Sequence, residues 1–461
     1  MSSIAEHSRS HQLSAAEARF AVVGVRDGRR VRLFADAVHA AGLPTPRVLD
    51  WADVLRDGAA FSQGETVRID SPGDDTAVEG ALRGMPDATR VEGSARWYAR
   101  FTEAVAAVAG AAGAAGARLL DDPAELAVLF DKRLCHGVLQ AAGVPVPASP
   151  TSALPSAGRA RAPRGARGPH PVADPVIEPA AAGASAGAPA GAQAETTVPG
   201  AALPTGPATD RAPAAPAPTP AGQGPASHPV PIRGWADVRA LLSGDGGLRR
   251  AFVKLAHGSS ASGVLAVEWA GPGRVCARTS VELAPDGRLY NSLRVRRYAT
   301  ENEVATLVDA LAPDGLHVER WLPKAAQQGR AADLRIVVVG GRATHAVLRT
   351  SRSPMTNLHL GGARGDLAAA RAATEAAGVA WADVLGLAER AARCFPGTLC
   401  VGVDVLPGSG WRRFAVGEVN AFGDLLPRLT GLPGSGAEGR DTYGAQVATV
   451  LREEHHRHVA R

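Results

Sequence analysis

The stretch "VGEVNAFG", residues 416–423, places a carboxylate and a carboxamide two positions apart in an otherwise apolar run. Such a run is typical of a β-strand, and side chains at i and i+2 of a strand share one face. Glu418 and Asn420 are therefore expected to point the same way. A polar cap at the end of the strand would account for the pair, and so would a hard divalent cation, which prefers oxygen ligands. The stretch alone leaves both interpretations open.

The preceding run, "LCVGVDVLPGSGWRRF", supplies a second strand with a further carboxylate, that of Asp404. Antiparallel pairing through a loop centred near Trp411 places Asp404 opposite Glu418, on one face with Asn420. A tight turn centred between Gly408 and Ser409 would send Asp404 and Glu418 to opposite faces, because a shift by one residue inverts strand parity. The first register brings three oxygen ligands together, which suits Mg²⁺ completed by phosphates and water.

The composition describes a chain of 461 residues that is only partly globular. The apolar fraction of 45% is ordinary, but the aromatic fraction is 4% and Gly and Pro are abundant. The net charge of +5 comes without interleaved aromatic residues, so nucleic-acid binding is not expected. Cysteines without a CxxC pair indicate reduced thiols, and the N-terminus lacks the apolar core of a signal peptide. These features predict a cytoplasmic protein without membrane association.

The composition changes between about 150 and 229, where Ala, Pro and Gly dominate and large apolar side chains are scarce. Such a segment buries too little surface to offset the entropy of ordering its backbone. We therefore expect a disordered insert. Its basic start, "GRARAPRGARG", is interpreted as a solvated run of charge.

The N-terminal part alternates strand and helix signals, which predicts a parallel sheet. "RFAVVGV", "PRVLDW" and "ETVRID" are strand-like, and "GRRVRLFADAVHAAGL" has helical spacing. Neither a dinucleotide fingerprint nor a P-loop motif occurs. Ser71 and Asp74 follow the third strand in "IDSPGDD", at the sheet edge where open α/β sheets bind ligands. The alternative is a Pro-Gly turn with an Asp that caps the next helix.

Two lysines, Lys132 and Lys254, lie in predicted secondary structure, and a Gly-rich segment follows the second. Lys132 lies early in the helix predicted for "LFDKRLCHGVLQAAG", and taken alone it would be a surface lysine. Lys254 lies inside the strand "AFVKLA", which is followed by the Gly/Ser segment 257–263 and a second strand. The tip of such a hairpin can present backbone N–H groups and hydroxyls to phosphate oxygens, with Lys254 at its base. A flexible, solvent-exposed hairpin is the alternative.

A second hairpin is predicted for "DLRIVVVGGRATHAVLR", whose Gly-Gly pair marks the turn. Arg335 and Arg349 lie on its strands, and arginines beside an anion site clamp phosphate or carboxylate groups. The segment "MTNLHLGG" follows, with Asn357, Gly361 and Gly362.

The order of these motifs resembles that of the ATP-grasp superfamily, nearest the branch of glutathione synthetase and RimK-type ligases. Within it, the chain is similar to a poorly characterised bacterial family that carries the "SPGDD" loop. The matching motifs cover roughly 121–149 and 230–430, and they are Lys132, Lys254 with its Gly/Ser hairpin, "ERWL", "DLR", the arginine strand, "NLHLGG", "GVDVL" and "GEVN".

The resemblance implies a fold that combines α/β and α+β parts: an N-terminal Rossmann-like (pre-ATP-grasp) domain, then an ATP-grasp fold of two α+β lobes. The implied organisation is a flexible N-terminus (1–17), the pre-ATP-grasp domain (18–118), a first lobe (119–149 and 230–318) interrupted by the insert (150–229), a second lobe (319–452) and a tail (453–461).

The resemblance also implies how ATP is bound. Lys132 and Lys254 would hold the α- and β-phosphates, the Gly/Ser segment would close over the triphosphate, and "ERWL" would form the hinge beside adenine. The implied nucleotide-binding residues are Lys132, Lys254, Gly258, Ser259, Ser260, Gly263, Glu319, Arg320 and Leu322. Two departures stand out: the lysine strand continues Lys254-Leu255 rather than Lys-Pro, and no ribose-binding acid follows the hinge before Asp333.

The resemblance also implies which residues bind magnesium, take part in catalysis and lie near the substrate. Asp404, Glu418 and Asn420 would carry Mg²⁺, as two ions, with Mn²⁺ as a substitute. Arg335 and Arg349 would face the γ-phosphate and the transition state. The implied substrate-side residues are Asn357, Gly361, Gly362, Ser71 and Asp74.

The implied activity is an ATP- and Mg²⁺-dependent carboxylate–amine, or carboxylate–thiol, ligase that forms an acylphosphate and releases ADP. Its partners would be a small-molecule or peptide carboxylate and an amine acceptor, and a homo-oligomer is compatible with the sequence. Two other functions stay open at this point. One is a non-catalytic ATP-binding module of a biosynthetic complex, and the other is phosphoryl transfer to a non-carboxylate acceptor.

Overall fold

The structure, a computed structural model, describes residues 18–155, 229–258, 262–423 and 426–459. Most of the predicted insert lies outside these ranges, and so do Ser259 and Ser260 of the predicted phosphate-binding segment. Within them, no helix is long and apolar enough to cross a membrane. The described residues form three sheets, one parallel and two antiparallel, with helices packed on them.

The N-terminal region is a four-stranded parallel sheet, as the alternation of strands and helices predicted. Its elements are β1 (Arg19–Gly24), α1 (Arg29–Ala40), β2 (Arg47–Asp50), α2 (Trp51–Asp57), β3 (Glu65–Ile69), α3 (Thr76–Arg83), α4 (Ser94–Ala115) and β4 (Arg118–Leu119). The strand order is β2-β1-β3-β4. Every residue of β3 is buried, as expected for a parallel strand that is covered on both faces.

Two short helices follow, and the second is the helix that the sequence predicted around Lys132. They are α5 (Pro123–Leu129) and α6 (Lys132–Ala141). The break has a local cause, because the Asp131 side chain accepts hydrogen bonds from the backbone N–H groups of Arg133 and Leu134 and so caps a new helix. Lys132 is consequently the first residue of α6, at its N-terminal end.

The middle region is a five-stranded antiparallel sheet with strand order β8-β7-β6-β5-β9. Its elements are α7 (Trp235–Ser243), β5 (Arg250–Leu255), β6 (Leu265–Trp269), β7 (Val275–Leu283), β8 (Leu289–Tyr298), α8 (Glu301–Leu311), a 3₁₀ turn (Ala312–Asp314) and β9 (Leu316–Arg320). The predicted β5–β6 hairpin is present. Apolar side chains of α7 and α8 cover one face, and Lys254 lies on the other.

The C-terminal region is a six-stranded sheet with strand order β13-β12-β11-β14-β15, and β10 pairs with β11. Its elements are β10 (Ala326–Gln327), β11 (Arg330–Val339), β12 (Arg342–Ser351), a 3₁₀ turn (Leu358–Leu360), β13 (Ala363–Arg364), α9 (Leu367–Ala376), α10 (Trp381–Ala392), β14 (Cys400–Pro407), β15 (Phe414–Ala421) and α11 (Thr442–Val459). The Gly340-Gly341 turn of the β11–β12 hairpin is confirmed, since both residues have positive φ angles, 55° and 79°.

The register of β14 and β15 is the one that places Asp404 opposite Glu418. It is reached through a bulge that the sequence did not reveal. Nearer the loop Val405 pairs with Val416, so Gly417 is the extra residue that shifts the ladder by one. A Cβ atom on Gly417 would come within 3.0 Å of Leu406, which explains why the smallest residue suits this position.

The last helix returns to the N-terminal region. Tyr443, Val447 and Val450 of α11 pack in one apolar cluster with Val31 and Phe34 of α1. Helix α11 runs through residue 452, where the sequence predicted the second lobe to end. The C-terminal part of the chain therefore covers the N-terminal sheet.

Candidate active site

One face of the C-terminal sheet carries a line of charged side chains across four strands. Asp333 of β11 lies opposite Arg349 of β12, Arg335 of β11 lies opposite Asp404 of β14, and Asp404 lies opposite Glu418 of β15. Directly opposed residues and residues two apart share a face of a sheet. We call these five residues the charged row.

Asp404 is held by two arginines. Arg335 Nε lies 2.5 Å and Arg349 Nη2 2.9 Å from Asp404 Oδ1. Arg349 also places its Nε 2.8 Å from Asp333 Oδ1. Burial opposes the charge of Arg349, but Asp404 and Asp333 keep its pKa above the usual value. The predicted metal ligand Asp404 and the two predicted catalytic arginines thus form one ion-paired group.

Lys324 joins the row through Asp333, although the sequence did not single it out. Its Nζ atom lies 3.3 Å from Asp333 Oδ2 and 3.2 Å from Thr356 Oγ1. Thr356 also donates a hydrogen bond to Asp333. Burial raises the pKa of Asp333, but Arg349 and Lys324 outweigh it and lower the pKa to about 2. Asp333 is therefore an ionised carboxylate inside the protein.

Glu418 pairs with the lysine at the start of α6. Lys132 Nζ lies 2.5 Å from Glu418 Oε1 and 2.6 Å from the Gly258 carbonyl oxygen. Burial raises the pKa of Glu418, but Lys132 and Lys254 outweigh it, and the pKa is lower than usual. Asn420 donates from Nδ2 to the Gly402 carbonyl oxygen at 3.3 Å. The structure therefore brings Lys132, Glu418 and Gly258 together from three separate segments.

Lys254 pairs with Glu319 of the predicted hinge. Its Nζ lies 2.6 Å from Glu319 Oε1, and His317 Nε2 lies 3.3 Å from Oε2. Burial raises the pKa of Glu319, but Lys254 and His317 outweigh it and lower the pKa to about 2. Strand β9 ends at Arg320, and Leu322 follows just beyond it. Lys254 and the hinge are thus joined by direct contact.

A cavity lies where the middle and C-terminal sheets face each other. Apolar side chains line part of it, and the ion pairs of both sheets line the rest. The lining residues include Leu129, Leu139, Val146, Val416, Lys132, Lys254, Glu319 and Glu418. Predicted nucleotide-binding and metal-binding residues therefore border one space.

Two histidines on this cavity were not predicted as functional. His136, His317 and Glu319 offer ligand atoms within 4.8 Å of one another, a spacing that could hold a metal ion. However, His136 Nε2 and Nδ1 are each 2.7 Å from an oxygen, those of the Pro147 carbonyl and the Ser152 hydroxyl. Both ring nitrogens are thereby occupied. Burial, followed by His317, lowers the pKa of His136 to about 4, so a neutral structural role fits it better.

The substrate-side residues fall in two separate loops. The Ser71 hydroxyl accepts a hydrogen bond from Gly73 N at 3.2 Å, and Asp74 is exposed. Asp75, the residue after Asp74, caps α3. An Asp cap at this helix is what the alternative interpretation, a turn followed by a capped helix, predicted. In the other loop, the Asn357 carbonyl accepts hydrogen bonds from the N–H groups of Leu360 and Gly362.

The second of these loops reaches the charged row. Thr356, one residue before Asn357, contacts Asp333, and Gly361 turns the chain with a φ angle of 81°. Gly362 allows a close approach of backbone, since a Cβ there would lie 2.6 Å from the Thr356 carbonyl oxygen. The loop that holds Asn357 is therefore fixed beside the row, whereas the contacts of Ser71 are local.

Comparison with known proteins gives a result at the level of structure. No protein-family model and no curated protein matches the sequence. Solved structures match along nearly the whole chain. They include ATP-grasp ligases. D-Cycloserine synthetase DcsG has 15% identity and a TM-score of 0.48, with 95% of this chain and 100% of that chain covered.

Two further structures match over similar lengths. The ligase PsnB in complex with its precursor peptide PsnA2 and AMPPNP has 14% identity and a TM-score of 0.44, with 95% of this chain and 98% of that chain covered. D-Alanine–D-alanine ligase from Bacillus anthracis with ATP has 10% identity and a TM-score of 0.44, with 95% and 97% covered.

Proposed function

We propose that this chain is an ATP-grasp ligase that uses ATP and Mg²⁺ to join a carboxylate to an amine or a thiol, with release of ADP. The observation that carries the proposal is the pairing of candidate metal ligands with candidate phosphate-binding cations. Glu418 pairs with Lys132, and Asp404 pairs with Arg335 and Arg349. A site for a metal–nucleotide complex needs both kinds of group, carboxylates for the metal and cations for the phosphates.

The donor set fits magnesium. Asp404 and Glu418 are opposite each other on adjacent strands, and Asn420 lies two positions along the same face. The lowered pKa of Glu418 keeps its carboxylate ionised at neutral pH. Oxygen donors from two carboxylates and an amide are the kind that Mg²⁺ and Mn²⁺ take. The bound ions, two in this proposal, would supply positive charge next to the phosphates.

The cations of the site can be assigned to the phosphate groups of ATP in the same proposal. Lys132 and Lys254 come from different elements and border one cavity with Glu319 and Glu418. In the proposal they bind the α- and β-phosphates, while Arg335 and Arg349 stabilise the charge on the transferred phosphoryl group. The end of β9, with Glu319, Arg320 and Leu322, would bind adenine in this proposal, and residues 258–263, which include Gly258, Ser259, Ser260 and Gly263, would bind the phosphates.

The proposed reaction has two steps. An oxygen of the substrate carboxylate attacks the γ-phosphorus, the bond to the β-phosphate oxygen breaks, and ADP leaves. The amine then attacks the acyl carbon, phosphate leaves with the C–O bonding pair, and the amine loses a proton. In this proposal, Arg335 and Arg349 stabilise the negative charge that develops in the first step. Exclusion of water protects the acylphosphate from hydrolysis.

The remaining assignments belong to the same proposal. The parallel sheet would be the pre-ATP-grasp domain (18–118), and the lobes would extend over 119–149 with 230–318 and over 319–452. Asn357, Gly361 and Gly362 would lie near the acceptor, because Thr356 ties their loop to Asp333. Ser71 and Asp74 would contribute from the N-terminal sheet. A small-molecule or peptide carboxylate and an amine would be the partners.

Calorimetric titration of the full chain with ATP, with and without Mg²⁺, tests the proposal. Wild type should bind ATP in a Mg²⁺-dependent way, and Glu418→Gln should lose that dependence. Glu438→Gln, at an exposed acid, is the matched control and should behave like wild type. The absence of nucleotide binding by wild type would overturn the proposal.

A turnover assay then separates the ligase from its alternatives. Carboxylates are screened with ATP and hydroxylamine, which traps acylphosphates as hydroxamates. ADP together with a hydroxamate supports the ligase. ADP together with a stable phosphorylated acceptor would indicate phosphoryl transfer. Nucleotide binding without turnover across the screen would indicate a non-catalytic module.

A further inference from the structure

Two segments that carry proposed phosphate-binding groups are joined along their backbones. Lys132 N donates to the Ala256 carbonyl oxygen at 2.8 Å, and Lys132 Nζ donates to the Gly258 carbonyl oxygen at 2.6 Å. The residue between these two carbonyls is His257. The start of α6 and the end of the β5 strand are therefore held side by side around one histidine.

The imidazole of His257 also contacts the segment that surrounds Lys132. His257 Nδ1 lies 3.3 Å from the Phe130 carbonyl oxygen, and His257 Nε2 lies 3.5 Å from Arg133 Nη2. Arg133 is fixed in turn by Asp131, at 2.8 Å. The side chain of His257 is only 7% exposed, so these contacts lie inside the protein.

The contacts define one protonation state. A carbonyl oxygen accepts, so Nδ1 of His257 donates to Phe130; Arg133 is a donor, so Nε2 of His257 accepts. Burial lowers the pKa of His257, which agrees with a neutral ring. Asp131, 3.9 Å from Nε2, stays committed to Arg133. The ring is thus oriented by a donor and an acceptor at once.

The fourth contact comes from the N-terminal region. The ring of Tyr98, on α4, stacks on the ring of His257 with centroids 4.0 Å apart and an angle of 16° between the planes. The Tyr98 hydroxyl donates to the Ala127 carbonyl oxygen at 2.9 Å, which fixes the ring from the other side. A helix outside both antiparallel sheets therefore determines where His257 lies.

We propose that His257 is a positioning residue for phosphate binding. It fixes the Gly258 carbonyl, and through that carbonyl it fixes Lys132 Nζ, which also contacts Glu418. Through Tyr98, the N-terminal region then takes part in phosphate binding without touching the nucleotide. The inference rests on the proposed function, since it assigns Lys132 to the phosphates.

The chemistry of the contacts separates this role from simple packing. A phenylalanine at position 257 would fill the same space and stack on Tyr98, but it would have no group to donate to Phe130 or to accept from Arg133. If His257 served packing alone, His257→Phe would behave like wild type. If it positions Lys132, both His257→Phe and His257→Ala lose phosphate affinity, and alanine loses more.

The test compares the affinity for Mg-ATP with that for adenosine, by calorimetry and by competition. His257→Phe should weaken Mg-ATP binding about fivefold, and His257→Ala about tenfold or more. The reason is that loss of a hydrogen bond or of a ring contact can each lower the affinity by up to about tenfold. Adenosine affinity should stay within about twofold. His39→Ala, at an exposed histidine on α1, is the control and should match wild type.

Each other outcome has a definite meaning. Equal losses for Mg-ATP and adenosine would show a general loss of structure and overturn the inference. Wild-type affinity in both His257 variants would overturn it while leaving the proposed function intact. Failure of wild type to bind Mg-ATP would overturn the proposed function and the inference with it. If His257→Ala does not fold, His257→Phe still decides the question.

Discussion

Two groups of buried charged side chains in the described part of the chain differ in what surrounds them. In the N-terminal region, Arg68 Nη2 lies 3.1 Å from Asp70 Oδ2, and Arg68 also donates to Gln446 of α11. Asp121 lies nearby, where its Oδ2 accepts from the Ile69 N–H. We call Arg68, Asp70, Asp121 and Gln446 the N-terminal cluster. The charged row of the C-terminal sheet is the second group.

The N-terminal cluster is enclosed, whereas the charged row ends at a cavity, which Glu418 lines. The rings of Phe34 and Tyr443 lie 5.0 and 5.2 Å from the guanidinium carbon of Arg68 and cover it. Glu418 of the row lines a small cavity that Lys132 and Lys254 also border. The difference teaches that buried charge alone does not mark a site. Opposed carboxylates with cations from several elements, beside a space for a ligand, are the stronger indication.

The largest predicted effect is a loss of activity at the row without a comparable loss at the cluster. Glu418→Gln replaces a proposed metal ligand by its neutral isostere and deprives Lys132 of its anionic partner. We expect kcat/KM to fall about 10³-fold, the scale found when a charge-stabilising group of an active site is removed. Asp121→Asn is the same kind of change in the cluster, and it should leave kcat/KM within about threefold.

The steady-state rate of ADP release, normalised to folded protein, measures both variants. Circular dichroism shows whether each variant is folded. A loss of activity in Asp121→Asn as large as that in Glu418→Gln would remove the distinction between the two regions.

The second prediction concerns stability. Arg68→Met removes the cation of the N-terminal cluster and leaves Asp70 and Asp121 buried without it. Breaking a buried ion pair at one partner costs about 3 to 5 kcal/mol, so the free energy of unfolding should fall by that amount. Urea denaturation measures the loss. The affinity for Mg-ATP at low denaturant should stay unchanged, and a parallel fall in affinity would mean that the cluster serves the site.

The sequence predicted the row better than it predicted the surroundings of the row. The two-residue periodicity of strands left two registers open, and the structure has the one that pairs Asp404 with Glu418. The bulge at Gly417 was not predicted, because a glycine within a strand pattern does not by itself show which residue is left unpaired in the ladder. Local pattern therefore yields the face of a side chain, while the exact ladder depends on tertiary packing.

Most of the contacts that were not predicted join residues from different elements of the fold. Lys324 lies in a polar stretch and becomes part of the row only because the fold brings it to Asp333. His136 and His317 lie on a helix and a strand with no shared spacing that would connect them. The helix predicted around Lys132 is present, and it begins at Lys132 because Asp131 caps it. The contacts of Lys324, His136 and His317, in contrast, depend on tertiary structure.

The third prediction uses pH to separate the two regions. The folded pKa of His136, beside the cavity, is lowered to about 4 by burial, then by His317. Between pH 6.5 and 4 the unfolded chain binds a proton that the folded chain does not, so this group makes stability fall on acidification. The folded pKa of Asp121 is raised to about 7 by burial, so below pH 7 this group has the opposite slope. Each contributes up to about 1.4 kcal/mol per pH unit.

Urea denaturation of wild type, His136→Gln and Asp121→Asn at pH 7, 6 and 5 measures these slopes. Subtracting the wild-type curve removes the contributions of all other groups. His136→Gln should lose less stability than wild type as the pH falls, and Asp121→Asn should lose more. Differences of the same sign in both variants would contradict the prediction.

The smallest predicted effect concerns how far the charged row extends. Lys324 and Thr356 contact Asp333, and Asp333 holds Arg349, so Lys324 acts on the arginine through one intermediate carboxylate. Lys324→Met should therefore lower kcat about tenfold, the equivalent of about 1.4 kcal/mol, with little change in the affinity for Mg-ATP. Lys324→Arg keeps the charge and should recover part of the rate. A rise in the dissociation constant for Mg-ATP at constant kcat would instead place Lys324 among the nucleotide-binding cations, and the row would then end at Asp333.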